Sequence, residues 1–591
     1  MPDPRVLEIL RRTWGYDSLR PLQERAIEAA LARRDSLVVM PTGGGKSLCY
    51  QLPPLLTGDL TVVVSPLISL MKDQVDTLRD LGVDARQINS TTTEVEKREL
   101  VRAARSRQLR LLFVSPERLV AERFQEFLVS LDVGTFAIDE AHCISHWGHD
   151  FRPEYRQLGE LRERFPKATL HAYTATATAA VRRDIAAQLR LNDPAVLVGS
   201  FDRPNLSYRV LPRLEPLKQT IEVIERHAGE AGIIYCIRKK DVDEITASLR
   251  KRGIDARPYH AGLTREERTA TQSAFADETC NIVVATVAFG MGIDRSNIRF
   301  VLHTGLPKSI EHYQQETGRA GRDGLEADCM MLYSAADVLV WRSVLGEGGG
   351  APRRLLDEMD RYARGAVCRH KALVNYFGED FSNPNCGACD LCLGDVEVVA
   401  DATVIAQKIL SCVVRTEQRF GAGHVIAVLR GENTDRVRSL GHDRLSTYGL
   451  LSEHTQAELR DWIYQLIGHG LLEQDGDRYP VLKLTADARR VLRGEENVRL
   501  VQITRKRRKS KVESQSWEGV DGALFESLRK FRRELAAARG VPPYIILGDR
   551  SLREVARLRP KTLTQLREVY GIGEKKLVDL GERILAVVAS G

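Results

Sequence analysis

Ser36-Leu-Val-Val-Met40-Pro41-Thr42-Gly43-Gly44-Gly45-Lys46-Ser47 is the stretch from which the fold follows. Leu37 to Met40 are apolar and read as a buried strand; three glycines then free the backbone to turn before a helix begins. Glycines let backbone N–H groups crowd around phosphate oxygens, and the helix N-terminus adds positive potential. In this reading Pro41, Thr42, Gly43, Gly44 and Gly45 form a phosphate cradle. Lys46 reaches the β/γ-phosphates of a nucleotide such as ATP, and Ser47 ligates Mg²⁺. Met40 stands where the general phosphate-loop pattern has its first glycine. A Gly-rich turn that happens to precede Lys-Ser is the competing reading. It is weakened by a partner 93 residues after Lys46: Phe136-Ala-Ile-Asp139-Glu140-Ala141-His142. An apolar run there delivers two adjacent carboxylates. In-line phosphoryl transfer needs charge neutralisation and an oriented nucleophile; Asp139 suits the metal and Glu140 the attacking water.

Outward from this stretch, short β-branched runs alternate with helical patterns over the first 340 residues. Examples of such runs are 36–40, 61–64, 111–114, 135–138, 232–235, 281–285 and 300–303. Such alternation predicts parallel sheets covered on both faces, an α/β architecture, in two blocks, 1–208 and 209–340. The join near Ser200–Pro204 is polar, and Gly346 to Gly350 marks a flexible boundary. The second block supplies Gln314-Gln315-Glu316-Thr317-Gly318-Arg319-Ala320-Gly321-Arg322-Asp323-Gly324. Its small residues let two arginines approach a neighbouring surface. An arginine from one lobe entering the other lobe's phosphate site stabilises transition-state charge. Arg322 is expected as that residue, with Arg319 and Gln315 assisting; spacing alone does not rank the two arginines. A surface loop with solvated arginines is the alternative.

The chain has 591 residues, about three to five domains' worth. With 43% hydrophobic and 28% charged residues, global disorder and collagen-like structure are excluded. No run approaches the ~18–20 apolar residues of a spanning helix. Met1 to Trp14 lacks the apolar core of a signal peptide, so a cytosolic setting with reduced thiols is expected. Six of the ten cysteines are scattered, while Cys368 is followed by 17 residues and then Cys386-Gly-Ala-Cys389-Asp-Leu-Cys392. This spacing lets four thiolates bind one tetrahedral ion, and four sulfurs favour a structural Zn²⁺. An Fe–S cluster is the competitor, although the ferredoxin-type Cys-Pro continuation is missing. His370 is read as lying outside the ligand set.

At this point the residues resemble the bacterial RecQ-type DNA helicases of superfamily 2. The Asp-Glu-Ala-His box, Thr174-Ala175-Thr176 and the Gln315–Arg322 stretch are shared broadly across that superfamily. More specific are Trp14-Gly15-Tyr16-Asp-Ser-Leu-Arg20-Pro21-Leu-Gln23 upstream of the phosphate loop and Cys143-Ile-Ser145-His-Trp147-Gly148-His149-Asp150-Phe151-Arg152-Pro153 after the box. The resemblance implies that Tyr16 and Arg20 sandwich adenine, that Gln23 reads its edge, and that Asp294 faces the nucleotide. It further implies that the aromatic loop links DNA binding to hydrolysis. A π-face and a guanidinium can indeed stack on a base, and aromatics interleaved with cations suit single strands. Ser145, Trp147, His149, Phe151 and Arg152 are the DNA-contact candidates there.

The resemblance covers essentially the full length. It implies two RecA-like lobes, a zinc-binding subdomain over 341–405, a winged-helix domain over 406–503, a basic linker over 504–516 and a helical HRDC bundle over 517–591. Asp475-Gly476 is a turn signal for the wing. Arg478 and Tyr479 occupy the apparent tip position, where bacterial relatives often have His. In the last bundle Tyr544, Lys575 and Lys576 are single-strand contact candidates. The expected activity is ATP-dependent, 3′→5′ unwinding of duplex and branched DNA in recombination, repair and fork processing, with ATP, Mg²⁺ and one structural Zn²⁺. DNA is the expected partner and single-strand-binding protein a candidate one. No membrane is involved, a monomer is favoured, and the setting is cytoplasmic and nucleoid-associated. An RNA-directed helicase and a non-catalytic nucleic-acid adaptor are the rival classes.

The net charge of +7 is unevenly spread. Residues 501–516 hold six Lys/Arg against one Glu, and 517–591 hold 14 Lys/Arg against 10 Asp/Glu. Residues 1–500 therefore carry −2. The excess belongs to the basic linker and the last bundle, both suited to salt-sensitive capture of a polyanion.

Overall fold

The apolar run before the phosphate loop forms strand β1 (Ser36–Val39), and no residue from Leu37 to Met40 is more than 3% exposed. A strand buried on both faces must lie inside a covered sheet. The computed structural model describes residues 3–89, 92–146, 148, 150–290, 295–334, 336–345, 350–365, 367–475, 481–503 and 517–590.

β1 lies within a seven-stranded sheet with β2 (Leu60–Val64), β3 (Ala85–Ile88), β4 (Leu111–Val114), β5 (Val133–Ile138), β6 (Thr169–Thr174) and β7 (Ala195–Val198). The order is β3-β4-β2-β5-β6-β1-β7, and every pairing is parallel. Parallel strands need crossovers, and the intervening helices cover both faces. Phe136 on β5 is fully buried and meets Phe165 edge-on at 4.9 Å.

The second sheet has six parallel strands: β8 (Leu206–Pro212), β9 (Ala231–Tyr235), β10 (Ala256–Tyr259), β11 (Ile282–Ala285), β12 (Ile298–His303) and β13 (Ala327–Tyr333), in the order β10-β11-β9-β12-β13-β8. β8 begins at Leu206, so a lobe boundary at 208/209 cuts through a strand. The polar stretch 200–204 lies between β7 and β8. The boundaries at 340/341 and 405/406 likewise fall inside helices, Ala336–Leu345 and Ala402–Arg415.

Three smaller units follow. Helices Ala351–Arg364 and Arg369–Tyr376 come first; Cys368 sits at the N-cap of the second, and the other three cysteines lie beyond it, Cys392 in the short helix Asp390–Leu393. The next unit is mainly helical, with Trp462, Ile463 and Leu466 of helix Gln456–Gly468 in its core. β14 (Val396–Val398) pairs with β17 (Val501–Ile503), tying this unit's end back to the cysteine unit. Between them the unit carries an antiparallel hairpin, β15 (Leu472–Asp475) with β16 (Val481–Leu484). The last unit packs helices Gly522–Arg539, Asp549–Leu558 and Glu574–Ser590 around Leu528, Leu552 and Ile584. Asp521 caps the first of these, its carboxylate accepting from the Ala523 and Leu524 amides. Among the described residues no helix is long and apolar enough to cross a membrane.

Candidate nucleotide and nucleic-acid site

The phosphate loop leaves β1 at the carboxyl edge of the sheet, where open α/β sheets bind ligands. Gly43 and Gly45 adopt the left-handed region, φ 79 and 80. A side chain at either position would also meet neighbours: a Cβ on Gly43 would lie 3.3 Å from Arg322 Cγ, and one on Gly45 2.3 Å from Gln23 Nε2. Helix Lys46–Gln51 begins directly after, and Lys46 Nζ donates to the Met40 carbonyl at 3.2 Å. Ser47 sits in the first turn of that helix.

β5 delivers Asp139 and Glu140 two strands away. Asp139 is buried, and its backbone N–H donates to Val64 O at 2.9 Å. Burial, then the neighbouring Glu140 carboxylate, push the Asp139 carboxyl up to about 7, against the pull of Lys46. Two adjacent carboxylates, one desolvated and repelled by the other, form the donor set that a divalent cation relieves, so these residues fit Mg²⁺. Glu140 occupies the left-handed region at φ 47 and opens the turn Ala141–Ile144. Its carboxylate lies 3.3 Å from His142 Nδ1, and the same nitrogen lies 2.9 Å from Thr174 Oγ1 at the end of β6. Burial lowers the His142 pKa, but Cys143 and Glu140 outweigh it and hold the imidazole up.

The second sheet reaches this site. Gln315, on helix Ile310–Thr317, donates from Nε2 to Thr176 Oγ1 at 3.4 Å. A Cβ on Gly318 would lie 3.3 Å from Thr42 Cβ. Arg322 lies against Gly43, whereas the Arg319 guanidinium lies against Gly290, 2.8 Å from where its Cβ would be. The two arginines therefore differ: the stem of Arg322 lies against the phosphate loop, and the Arg319 guanidinium lies within its own lobe. Arg203, in the connection between sheets, donates to Thr42 O at 3.3 Å and to Gly321 O at 2.9 Å. Sequence reasoning missed this clamp; the only signal was an Arg-Pro pair in a polar connection.

Upstream, Arg20 Nη1 donates to Gly43 O at 2.9 Å. Gln23 accepts from the Arg20 amide through Oε1 and donates from Nε2 to Gly45 O at 3.2 Å. Both residues thus brace the phosphate loop, a role that the sequence pattern does not announce. Tyr16 is 58% exposed beside them. Asp294 lies outside the described residues.

In the aromatic loop, Ser145 is fully buried and its Oγ donates to Asp184 at 2.6 Å. Arg152 bonds Pro66 O at 3.2 Å and Asp150 at 3.3 Å. Phe151 is half-buried, its ring 3.8 Å from that of His146. Trp147 and His149 lie outside the described residues. So do the wing tip, with Arg478 and Tyr479, and the linker 504–516. In the last unit Tyr544 lies on the short helix Pro543–Ile546, half-buried. Lys576 is half-buried, and burial lowers its pKa. The Lys575 side chain lies outside the described residues.

The four cysteines converge: the sulfurs of Cys368, Cys386, Cys389 and Cys392 all lie within 4.8 Å of one another. Cys389 Sγ accepts from the Cys392 amide and Cys386 Sγ from the Ala388 amide, both at 3.4 Å. Four thiols this close, supported by backbone N–H groups, suit a tetrahedral dication. His370 turns away, to Asp202 at 2.7 Å and Leu206 O at 3.0 Å.

Five family descriptions match the chain in succession: DEAD/DEAH box helicase over 20–185, helicase conserved C-terminal domain over 213–324, RecQ zinc-binding over 343–393, RQC domain over 397–509 and HRDC domain over 521–588. The chain is 42% identical to the ATP-dependent DNA helicase RecQ of Pasteurella multocida, across 99% of the chain and 93% of that protein. The RecQ of Haemophilus influenzae is also 42% identical, across 99% and 96%. That of Bacillus subtilis is 38% identical, across 98% of both.

Proposed function

The chain belongs to the RecQ family of ATP-dependent DNA helicases, and on that premise we propose that it hydrolyses ATP between its two sheets and thereby unwinds duplex and branched DNA with 3′→5′ polarity. The approach of Arg322 to Gly43 carries this reading. An arginine whose aliphatic stem lies against the other lobe's phosphate loop starts from the place where a cleft closing on a triphosphate requires a cation.

Within that cleft Pro41 to Gly45 cradle phosphates, Lys46 leaves Met40 O for the β/γ-phosphates, and Tyr16 and Arg20 hold the base, with Gln23 at its edge. Ser47 and Asp139 would hold Mg²⁺, which would supply neutralisation of the charge developing on the phosphates. Glu140 orients the attacking water. Arg322 meets the transferring phosphoryl group, Arg319 and Gln315 hold the closed arrangement, and Asp294 faces the nucleotide. Phe151 and Arg152, with Trp147 and His149, take single-stranded DNA and report its presence to Glu140. Arg478 and Tyr479 meet the duplex junction, and Tyr544, Lys575 and Lys576 meet single strands. The working units are two helicase lobes, a zinc unit, a winged helix and an HRDC unit, acting as a monomer in recombination, repair and replication-fork processing. Single-strand-binding protein is a candidate partner, and the bacterial nucleoid the expected setting.

The deciding experiment compares 3′-tailed, 5′-tailed, forked and four-way DNA with RNA duplexes of matched overhang. The expected result is ATP-driven unwinding of 3′-tailed and forked DNA, with RNA left paired. Glu140→Gln should abolish hydrolysis while ATP still binds. DNA-stimulated hydrolysis surviving that change would sink the assignment of Glu140.

A further inference from the structure

The last helical unit is docked on the second lobe through charges rather than through an apolar face. Arg532, fully buried, donates to Asp549 at 2.6 Å within its own unit and to both oxygens of Glu278 at 3.2 Å on the lobe. Glu278 is also held by Asn297 at 3.0 Å. Arg553 donates to Glu326 at 2.7 and 2.9 Å, and Trp517 Nε1 adds a bond to the same carboxylate at 3.0 Å. Between these pairs lies Arg299 of β12, 3% exposed, bonded to Asp323 and 3.9 Å from Asp549. Asp323 follows Arg322 directly in the chain. The same unit touches the first lobe: a Cβ on Gly573 would lie 3.8 Å from the Gly15 carbonyl, next to Tyr16.

Buried ion pairs add little net stability, since desolvation offsets the attraction, but removing one partner strands the other. Surfaces this charged are also comfortable in water when apart, unlike an obligate apolar interface. The arrangement therefore suits reversible docking with strict registration. With the unit docked, Arg299 is held between two carboxylates, and one of them anchors the loop that carries Arg322 to Gly43. With it undocked, Arg299 keeps Asp323 and the Glu326 carbonyl at 3.1 Å but loses Asp549, and Glu278 keeps Asn297 but loses Arg532.

We propose that Asp549 and Arg532 are positioning residues for ATP hydrolysis: docking of the HRDC unit fixes the Arg299–Asp323 pair and so sets the entry of Arg322 into the phosphate site. This rests on the reading of Arg322 given above. A misplacement of about 1 Å costs on the order of a hundredfold in rate, so partial loss of registration should be easily measured.

The test uses the full chain with saturating single-stranded DNA. Arg532 also serves its own unit's interior, so the lobe side is altered instead, as Glu278→Gln with Glu326→Gln. Hydrogen exchange of helix Asp549–Leu558 reports undocking. The expected result is a kcat for ATP lower by about tenfold or more, with KM changed less than twofold. Asp549→Asn should move kcat the same way. In an Arg322→Ala background the lobe-side pair should lower kcat no further, which a merely structural role would not produce. An undocked chain with unchanged or raised kcat overturns the positioning role, as does full additivity with Arg322→Ala. If Arg322→Ala alone leaves kcat intact, the reading of Arg322 is what fails.

Discussion

Thr174 is one hydroxyl in a chain that begins at Glu140, passes through His142 and Thr174 Oγ1, and continues as Thr174 Oγ1 donates to Thr176 O at 3.3 Å. Gln315 of the other lobe reaches Thr176. The Glu140 carboxylate is thereby connected to the opposing lobe through His142, Thr174 and the two polar groups of Thr176, its carbonyl and its hydroxyl. Thr174→Val keeps the shape and removes the hydroxyl. The expected outcome is a loss of DNA-stimulated ATPase of about tenfold, equivalent to about 1.4 kcal/mol, with ATP affinity retained. Steady-state assays with and without single-stranded DNA check it, and equal loss in both would dissolve the link. A second residue answers to pH. His227 is held between Glu230 at 2.7 Å and Asp328 at 3.1 Å. Burial lowers its pKa, but the two carboxylates outweigh it and raise the imidazole to about 9. A histidine raised in the fold contributes stability that is complete below its ordinary value of about 6.5 and is lost as pH climbs through about 9. His227→Gln should therefore cost most at pH 6 and little at pH 10, read as the difference in Tm from wild type. A penalty equal at both pH values would contradict the ion-pair account.

At the scale of elements, the zinc unit closes a sheet edge. β8 is the last strand of the second sheet, and the Tyr208 amide donates to Ala388 O at 3.0 Å while the Val210 amide donates to Asp390 at 3.0 Å. Asp390 is itself fixed by Arg369, at 2.9 and 3.0 Å, with both side chains buried. The cysteine loop thus covers an edge that would otherwise offer unpaired groups to another chain. Cys386→Ser should abolish zinc binding and remove at least about 5 kcal/mol of local stability. Amide exchange at Tyr208 and Val210 should then accelerate about a thousandfold or more; unchanged exchange in zinc-free protein would refute the coupling. This element also bears on what is legible from sequence. The ligand cysteines are plain from spacing, yet nothing in the spacing says that they face β8. The strands read correctly are those whose apolar runs are unbroken, such as β1, β2 and β4. β6 was missed because it carries His171, which is buried and satisfied by Ser36 at 2.8 Å and Thr169 at 3.2 Å. β8 hides Arg209, whose partner Asp395 lies 186 residues away, and the run read from 300 begins earlier, at Ile298, with Arg299 paired to Asp323. Polar residues paired across the fold break a one-dimensional pattern without breaking the core. The phosphate site was readable because its residues are contiguous. The bracing by Arg20, Gln23 and Arg203 was not, because each acts on a backbone carbonyl that carries no sequence mark.

For the whole molecule, the distribution of charge sets a division of labour. Residues 1–500 carry −2, so their overall field offers a polyanion no net attraction. The positive excess lies beyond them, but its two parts are not equivalent. Part of the charge of the last unit is committed inward: Arg532 and Arg553 are paired, buried, with Glu278 and Glu326. The linker's six cations, Arg505 to Lys509 and Lys511, are concentrated within seven residues against one acid, Glu513. Salt dependence should therefore reside in the linker more than in the folded unit after it. Each phosphate neutralised on a single strand contributes about 0.7 to the slope of log K against log salt. Replacing the six cations with glutamine, in a chain otherwise intact, should flatten that slope by about 0.7 for every phosphate left without its cation. It should leave kcat at saturating DNA unchanged, because the docked interface is untouched. A chain ending at Ile503 retains β17, which pairs with β14, and so keeps the winged unit closed. That chain should lose the same share of the slope and, lacking the docked unit, also lose kcat. Titrations of a single-stranded oligonucleotide at about 50 to 300 mM salt separate the two effects. If the glutamine chain keeps the full slope, the phosphates are held by the folded unit, and the linker is only a tether.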